Sequence, residues 1–244
     1  MIASGLTDIG QARDQNQDAL FVSTGQIGAL PNLFLIADGM GGHNAGDVAS
    51  AGAVEKFVEY IKENPGMPDG EGVLDLLAAA VSSANSHVFE QAQANPAYHG
   101  MGTTFIACVV TGGKCEIVHI GDSRLYKVSQ GRLSQLTSDH TYVSYLVKSG
   151  QLRASQARKH PRRNVLTRVL GTEDKIQTDG YIHNVEEGSV LLLCTDGLTD
   201  MVPDKKILKT LAQKTTPEEK AQKLVTMANV NGGNDNISVI VIEL

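Results

Sequence analysis

IADGMGGHNAGDVAS, residues 36 to 50, takes the chain from an apolar run through a carboxylate and a glycine-rich turn towards a helix. The run before it, Leu33 to Ala37, predicts a buried strand because it is short, apolar and bounded by turn residues. Apolar residues after it recur at helical spacing, at Val54, Phe57, Val58 and Ile61. A carboxylate thus stands where a rigid strand passes into a loop, which is a common place for a functional residue.

Similar apolar runs predict further strands at Thr104 to Val110, Val190 to Cys194 and Ile237 to Ile242, and two more within residues 116 to 128, separated at Gly121. Further helices are predicted by the stripe of Leu74, Leu77, Val81, Ala84 and Val88, after Pro203, and after a capping box formed by Thr216 and Glu219. Strands and helices do not alternate regularly. The order therefore favours an α+β fold with helices covering antiparallel sheets over a doubly wound parallel sheet.

Composition limits the classes of protein that this chain can be. It has 244 residues, 41% of them hydrophobic, and a net charge of −6, which predicts a single folded domain over residues 1–244 and disfavours nucleic-acid partners. No apolar run is long enough for a membrane span, and the three cysteines form no C-x-x-C pair, so we expect a cytoplasmic protein without a disulfide framework. The polar, basic stretch Lys148 to Arg163 predicts an exposed helical flap around residues 145–165.

Aspartates recur where the predicted strands begin or end, at Asp18, Asp38, Asp122, Asp196 and Asp235, and Asp200 follows Asp196 by four residues. Each Asp-Gly or Gly-Asp pair alone is most simply a turn. The six aspartates taken together favour a cation site over isolated turns, because carboxylates gathered near a core repel one another unless cations hold them. An oxygen-only ligand set favours Mg²⁺ or Mn²⁺ over zinc, and a pair of such ions could activate water at neutral pH.

Two nearby features suit a phosphorylated substrate. Glycines surround Asp38 in the segment from Gly39 to His43, so backbone carbonyls and a bulky substrate could approach an ion there. This is not a Walker loop, since no Gly-Lys-Ser/Thr follows. Arg13 lies five residues before Asp18, and its guanidinium matches a pair of phosphate oxygens, although a solvated surface charge is the simpler role for one arginine.

Seven segments, in order, resemble those of the metal-dependent type 2C (PPM) Ser/Thr protein phosphatases, and the compact chain is similar to the stand-alone bacterial members. The segments are TDIGQARDQNQDAL (Thr7 to Leu20), IADGMGGHNAGDVAS (Ile36 to Ser50), GMGTTF (Gly100 to Phe105), HIGDSRLY (His119 to Tyr126), LTSDHT (Leu136 to Thr141), LLLCTDGLTD (Leu191 to Asp200) and GGNDNISVIVI (Gly232 to Ile242). They span nearly the whole chain and are more specific together than any one motif.

The resemblance implies a four-layer α-β-β-α sandwich of two antiparallel sheets flanked by helices, with two Mn²⁺ or Mg²⁺ ions at one end. Its implied ligands are Asp38 as the bridge, the Gly39 carbonyl, Asp196 and Asp235, with Asp18 acting through water and Asp122 and Asp200 holding a third, weaker ion. Arg13 would clamp the phosphate. The implied reaction is in-line attack by a metal-bridging hydroxide without a phosphoenzyme, on phosphorylated Ser/Thr proteins that include a cognate kinase, by a monomer.

Two positions depart from the wider family pattern. Gln17 stands where many members have Glu beside the supporting Asp, which predicts weaker binding of the second ion. Met40 follows Asp38-Gly39 where many eukaryotic members have His, and the nearby imidazole is His43, as in the bacterial variant. The general acid is therefore either His43 or a metal-bound water.

Other interpretations remain open on sequence alone. Another two-metal phosphoesterase, acting on nucleotides or small molecules, would use the same carboxylates. A non-catalytic metal-binding module would use Gly232 to Asp235 as a calcium turn, although such turns come in arrays. For two histidines we expect structural roles, with His119 in a core or site wall and His140 beside a helix cap formed by Ser138 or Asp139.

Overall fold

A computed structural model describes residues 1–41, 45–66 and 72–244 of the chain. The strands are β1 (Ile2–Asp8), β2 (Asp18–Ser23), β3 (Leu33–Met40), β4 (Gly102–Thr103), β5 (Phe105–Thr111), β6 (Lys114–Ile120), β7 (Arg124–Ser129), β8 (Arg132–Gln135), β9 (Asp179–Asn184), β10 (Val190–Cys194) and β11 (Ile237–Glu243). The helices are α1 (Gly46–Glu63), α2 (Val73–Ala94), α3 (Tyr142–Lys148), α4 (Ala154–Ala157), α5 (Asp196–Thr199), α6 (Asp204–Leu211) and α7 (Pro217–Val230), with a 3₁₀ turn at Pro96–Tyr98.

The strands form two antiparallel sheets that lie face to face. One sheet has the order β1-β11-β10-β7-β8, and the other has the order β2-β3-β5-β6-β9 with β4 paired to β3. Helices α1 and α2 cover the second sheet, and α6 and α7 cover the first. The α+β sandwich of helices and antiparallel sheets predicted above is confirmed.

Strand β3 shows why the apolar runs are continuous. Leu35 and Ala37 pack under the helices, while Phe34 and Ile36 pack between the two sheets, and all four are fully buried. A strand that is covered on both faces needs apolar residues at every position, so its sequence loses the alternation of a half-exposed strand. The side chains packed between the two sheets hold the sheets face to face. The strand ends that carry the carboxylates therefore lie at one rim of the sandwich.

Strand β3 runs further than its apolar sequence predicts. It continues through Asp38 to Met40, because Gly39 and Met40 pair with Thr103 and Gly102 of the short β4. Asp38 is therefore held inside a strand, where its backbone is fixed, and not in the turn that follows.

Three further expectations can be compared with the described residues. The three cysteines are buried, and none of them forms a disulfide within the described part of the chain. Among the residues described, no helix combines the length and apolar character that crossing a membrane requires. The stretch predicted to be a helical excursion contains the end of α3 and the short α4.

Candidate metal centre

Strand pairing brings the predicted aspartates towards one cleft. Asp18 at the start of β2 is the direct antiparallel partner of Asp38 in β3. Asp122 follows β6, Asp196 begins α5 just after β10, and Asp235 precedes β11. A cleft of about 520 Å³ is lined by the predicted residues Arg13, Asp38, Gly39, Asp122, Asp196 and Asp235, together with Met40 and residues 164–166.

The remaining predicted residues lie beside this cleft or outside the described part. Asp18 lies behind it and accepts a hydrogen bond at Oδ2 from the Thr195 hydroxyl, 3.1 Å away. Asp200 lines an adjoining cleft that shares Asp122 and Asp196 with the first. His43 lies outside the residues that the structure describes.

Burial and mutual repulsion make these carboxyl groups unusually weak acids. Burial, followed by the charges of Asp18 and Asp196, raises the pKa of Asp38 well above its ordinary value of 3.8. Burial is also the main cause that raises the pKa of Asp18 to about 7 and that of Asp196 to about 6. Burial and Asp196 raise the pKa of Asp122 in the same direction. A cationic ligand would relieve all four groups.

The donor set fits hard divalent cations. The Oδ1 atom of Asp18 is buried and has no hydrogen-bond partner, which is costly for a carboxylate unless a cation or water meets it. Within the described ranges, no three His, Cys, Asp or Glu side chains form a ready-made cage for an ion. Mg²⁺ does not need one, because it usually keeps several waters and takes only one or two carboxylates from the protein. The residues therefore fit ions held partly through water.

Gly39 allows the strand carrying Asp38 to pack closely against its neighbours. A Cβ at Gly39 would overlap the Gly46 carbonyl oxygen at the start of α1 and would lie 2.6 Å from the Gln17 carbonyl oxygen. The Gly39 N–H donates to that same Gln17 carbonyl at 3.0 Å. Asp18 follows Gln17 directly, so this approach holds the Asp18 and Asp38 segments together.

Asn236 is a structural residue of the site that sequence reasoning missed. Its side-chain Oδ1 accepts from the Gln17 N–H at 2.8 Å, and its Nδ2 donates to the Ile9 and Gln15 carbonyls at 2.9 Å each. Because Asn236 directly follows Asp235, these bonds connect the Asp235 segment to the residues next to Asp18. The sequence signal was the Asn-Asp-Asn triplet, of which only the aspartate was interpreted.

Arg13 lies in the cleft, half-exposed, with its guanidinium against Asp235. It donates from Nη2 to Asp235 Oδ2 at 2.8 Å. This bond, together with the charges of Asp235, Asp38 and Asp196, raises the pKa of Arg13, while burial acts in the opposite direction. Since a guanidinium has five N–H donors, further donors are available for an anion that enters the cleft.

A second network, behind Asp122, was not foreseen. The Gly121 N–H donates to His140 Nδ1 at 3.1 Å, so the proton of the neutral ring lies on Nε2, which faces Asp179 Oδ2 at 3.2 Å. Arg168 donates to the other oxygen of Asp179 at 2.7 Å. His119 is buried beside His140, with ring centroids 4.8 Å apart, which confirms its predicted position in the core or a site wall.

The helix cap near His140 is a different residue from the one predicted. Thr141 caps α3, because its hydroxyl accepts from the Ser144 N–H at 3.2 Å. Asp139 is instead engaged by Arg124 through two guanidinium nitrogens, the closer at 2.6 Å. The prediction of Ser138 or Asp139 was wrong because this long-range ion pair takes the carboxylate that local sequence made available for capping.

Comparisons with known proteins point in one direction. The family model described as protein phosphatase 2C matches residues 10–229. The chain is 37% identical over 245 residues to the Ser/Thr phosphatase stp of Listeria monocytogenes, covering 100% of this chain and 96% of that protein.

Solved structures agree with the sequence matches. A Ser/Thr phosphatase of S. agalactiae superposes with a TM-score of 0.91 at 38% identity, covering 100% of this chain and 99% of that one. The catalytic domain of the Ser/Thr protein phosphatase PstP, solved in complex with two manganese ions, superposes with a TM-score of 0.84 at 34% identity, covering 98% and 96%.

Proposed function

The chain belongs to the protein phosphatase 2C family and is a metal-dependent Ser/Thr phosphatase, and we propose that the aspartate cleft is its catalytic centre. The observation that supports this most directly is the convergence of Asp38, Asp122, Asp196 and Asp235 on one cleft with Arg13. Neither another class of two-metal phosphoesterase nor a non-catalytic module is favoured by this family membership.

In this proposal Asp38, the Gly39 carbonyl, Asp196 and Asp235 would hold two Mn²⁺ or Mg²⁺ ions, with Asp38 shared between them. Asp18 would support the pair, and Asp122 and Asp200 would hold a weaker third ion. The chemistry that such ions supply is activation of water as a nucleophile and neutralisation of phosphate charge. The unpartnered Asp18 Oδ1 and the raised pKa values of Asp38 and Asp122 support this ligand set.

Arg13 binds the phosphate of the substrate. Its guanidinium lies on the wall of the same cleft and has donors beyond the one given to Asp235. The leaving Ser or Thr alkoxide needs a proton, and His43 is our candidate donor, in a reaction without a phosphoenzyme. A pH-rate profile of His43→Ala tests this role, because an unchanged alkaline limb would exclude the imidazole.

The substrates are phosphorylated Ser/Thr proteins, including a cognate Ser/Thr kinase, and the enzyme acts as a cytoplasmic monomer. The Ser/Thr phosphatases that this chain resembles support the substrate class. The net charge of −6 disfavours nucleic acid as a substrate.

Hydrolysis of a phosphothreonine peptide tests the proposal. We expect turnover with Mn²⁺ or Mg²⁺, its loss with EDTA, and no cleavage of DNA. Arg13→Ala should raise KM for the phosphopeptide without changing the fold, as measured by circular dichroism. Hydrolysis that survives chelation would contradict the metal centre, and hydrolysis of DNA but not of phosphopeptide would favour another phosphoesterase.

A further inference from the structure

The flap carries a charge opposite to that of the rest of the chain. Residues 145–165 contain six of the 21 Lys and Arg residues and none of the 27 Asp and Glu residues. We call these six the flap cation patch: Lys148, Arg153, Arg158, Lys159, Arg162 and Arg163. All six are exposed. A local positive field on an otherwise acidic protein attracts anionic groups to that side.

Two members of the patch form ion pairs next to the proposed catalytic centre. Arg163 Nη2 lies 3.1 Å from Asp200 Oδ2, and Arg158 Nη2 lies 3.0 Å from Asp204 Oδ1. Asp200 and Asp204 lie at the end of α5 and the start of α6. These ion pairs therefore join the flap to the region that carries Asp196.

The other members are available to a ligand. Arg162 lies over the ring of Tyr142, 5.7 Å from its centroid, which leaves its charge without a carboxylate. Lys148, Arg153 and Lys159 make no ion pair with any of the residues that the structure describes. Four cations of the patch thus have no anionic partner within the described part of the chain.

The patch adjoins the proposed substrate path. A second cleft of about 520 Å³ is lined on the flap side by Lys148, Arg158 and Arg163. It shares Asp122, Asn164 and Asp196 with the metal cleft, so the two clefts adjoin. An extended peptide advances about 3.3 Å per residue. A substrate segment that runs from the metal cleft into the second cleft would therefore place the near sequence neighbours of its phosphorylated residue along the flap.

We propose that the flap cation patch binds anionic side chains that flank the phosphorylated residue, so that acidic or multiply phosphorylated protein segments are the preferred substrates. This inference rests on the proposed function. The ligand chemistry is a carboxylate or a second phosphate within a few residues of the scissile one. Because the patch cations are exposed, they act mainly on substrate capture and change kcat/KM, and salt weakens their effect.

Three phosphothreonine peptides of equal length test the inference, with neutral flanks, with glutamate flanks, and with a second phosphothreonine. At about 0.05 M salt we expect kcat/KM to be roughly tenfold higher for the two anionic peptides, and at about 0.3 M salt we expect most of that preference to disappear. The two anionic peptides distinguish carboxylate from phosphate recognition.

The variant Lys148→Gln/Arg153→Gln/Lys159→Gln should lose the preference while keeping kcat on the neutral peptide. The matched control Lys62→Gln/Lys114→Gln/Lys214→Gln changes the same charge at exposed lysines that line neither cleft, and it should keep the preference.

The remaining outcomes of these experiments distinguish failure of the inference from failure of the proposed function. Equal kcat/KM for all three peptides in the wild type, or a preference that the flap variant retains, would overturn the inference and leave the proposed function standing. Failure to hydrolyse any of the peptides with Mn²⁺ would instead overturn the proposed function. Binding of the patch to phosphatidylserine vesicles without a peptide preference would assign it to a lipid surface and would also overturn the inference.

Discussion

Asp38 lies among other acids. It shares its cleft with Asp122, Asp196 and Asp235, and burial together with the charge of Asp18 raises its pKa well above 3.8. Removing its charge should therefore relieve repulsion in the metal-free protein while removing the proposed bridge between ions. Function and stability are expected to respond in opposite directions at this residue.

We predict that Asp38→Asn abolishes phosphatase activity without unfolding the chain. The wild type should gain about 2.7 kcal/mol of stability with Mn²⁺ at 100 times its dissociation constant, and the variant should gain far less. Thermal unfolding with and without Mn²⁺ measures this, with the exposed Asp174→Asn as a charge-matched control. An active Asp38→Asn enzyme would refute the bridging role.

Gly39 packs closely against the start of α1, and the effect of substituting it depends on this packing alone. A methyl group there overlaps the Gly46 carbonyl oxygen, so Gly39→Ala should lower the free energy of unfolding by about 1–3 kcal/mol. Gly25→Ala is the matched control, since nothing lies within 4 Å of its Cβ position, and it should change stability by less than about 0.5 kcal/mol. Urea denaturation measures both, and equal stabilities would contradict the close approach.

At the level of elements, local signals predicted some features well. The Thr216 to Glu219 capping box was predicted from four residues, and α7 begins there with both reciprocal bonds, at 3.2 and 3.0 Å. Such a cap depends only on neighbours in sequence. The buried strands β10 and β11 were foreseen for a similar reason, because burial on both faces leaves an uninterrupted apolar run.

Elements that depend on distant partners were harder to predict. Strand β1 is only partly buried and contains Ser4 and Gly5, so its sequence lacks a clear apolar run, and its pairing with β11 defines it. The Asn236 bonds and the contact of His140 with Asp179 join residues far apart in sequence. The hydrophobic pattern of the sequence does not predict such contacts. The carboxylates of the site were predictable because they stand next to strands that were themselves predictable.

The N-terminal cap of α7 is expected to stabilise the protein. Thr216→Ala removes the acceptor for the Glu219 N–H and should lower stability by about 1 kcal/mol. The neighbouring Thr215→Ala is the control, because Thr215 is equally exposed and lies outside the cap. Chemical denaturation of both variants should separate them, and identical midpoints would show that the cap contributes nothing.

The whole molecule should show a dependence of stability on pH that metal reverses. The pKa of Asp18 is raised from 3.8 to about 7 and that of Asp196 to about 6, mainly by burial. Between pH 3.8 and about 7 the folded, metal-free protein therefore holds protons that the unfolded chain has released. Its free energy of unfolding should fall as the pH rises through that window.

The contribution of His119 to the pH dependence of stability has the opposite sign, and we expect it to be the same with and without metal. Burial, followed by the charge of His140, lowers its pKa from 6.5 to about 4, so its contribution to stability is lost as the pH falls through that range. The difference between melting temperatures with and without Mn²⁺ removes this contribution. That difference isolates the carboxylates.

We predict that Mn²⁺ raises the melting temperature more at about pH 7.5 than at about pH 5, because protons compete with metal for the same carboxylates. Differential scanning calorimetry in buffers that do not chelate metal measures the shift. A manganese effect of the same size at both pH values would argue against ligands with raised pKa values.

Strand β11 lies between β1 and β10 in its sheet, yet it comes after every other described strand along the chain. On the ribosome, β1 emerges long before the partner with which it pairs, and Asp235 is the last of the proposed ligands to be translated. A nascent polypeptide that still lacks these residues has neither a closed sheet nor a complete set of carboxylates. We therefore expect newly made molecules to gain phosphatase activity only after translation has passed this strand.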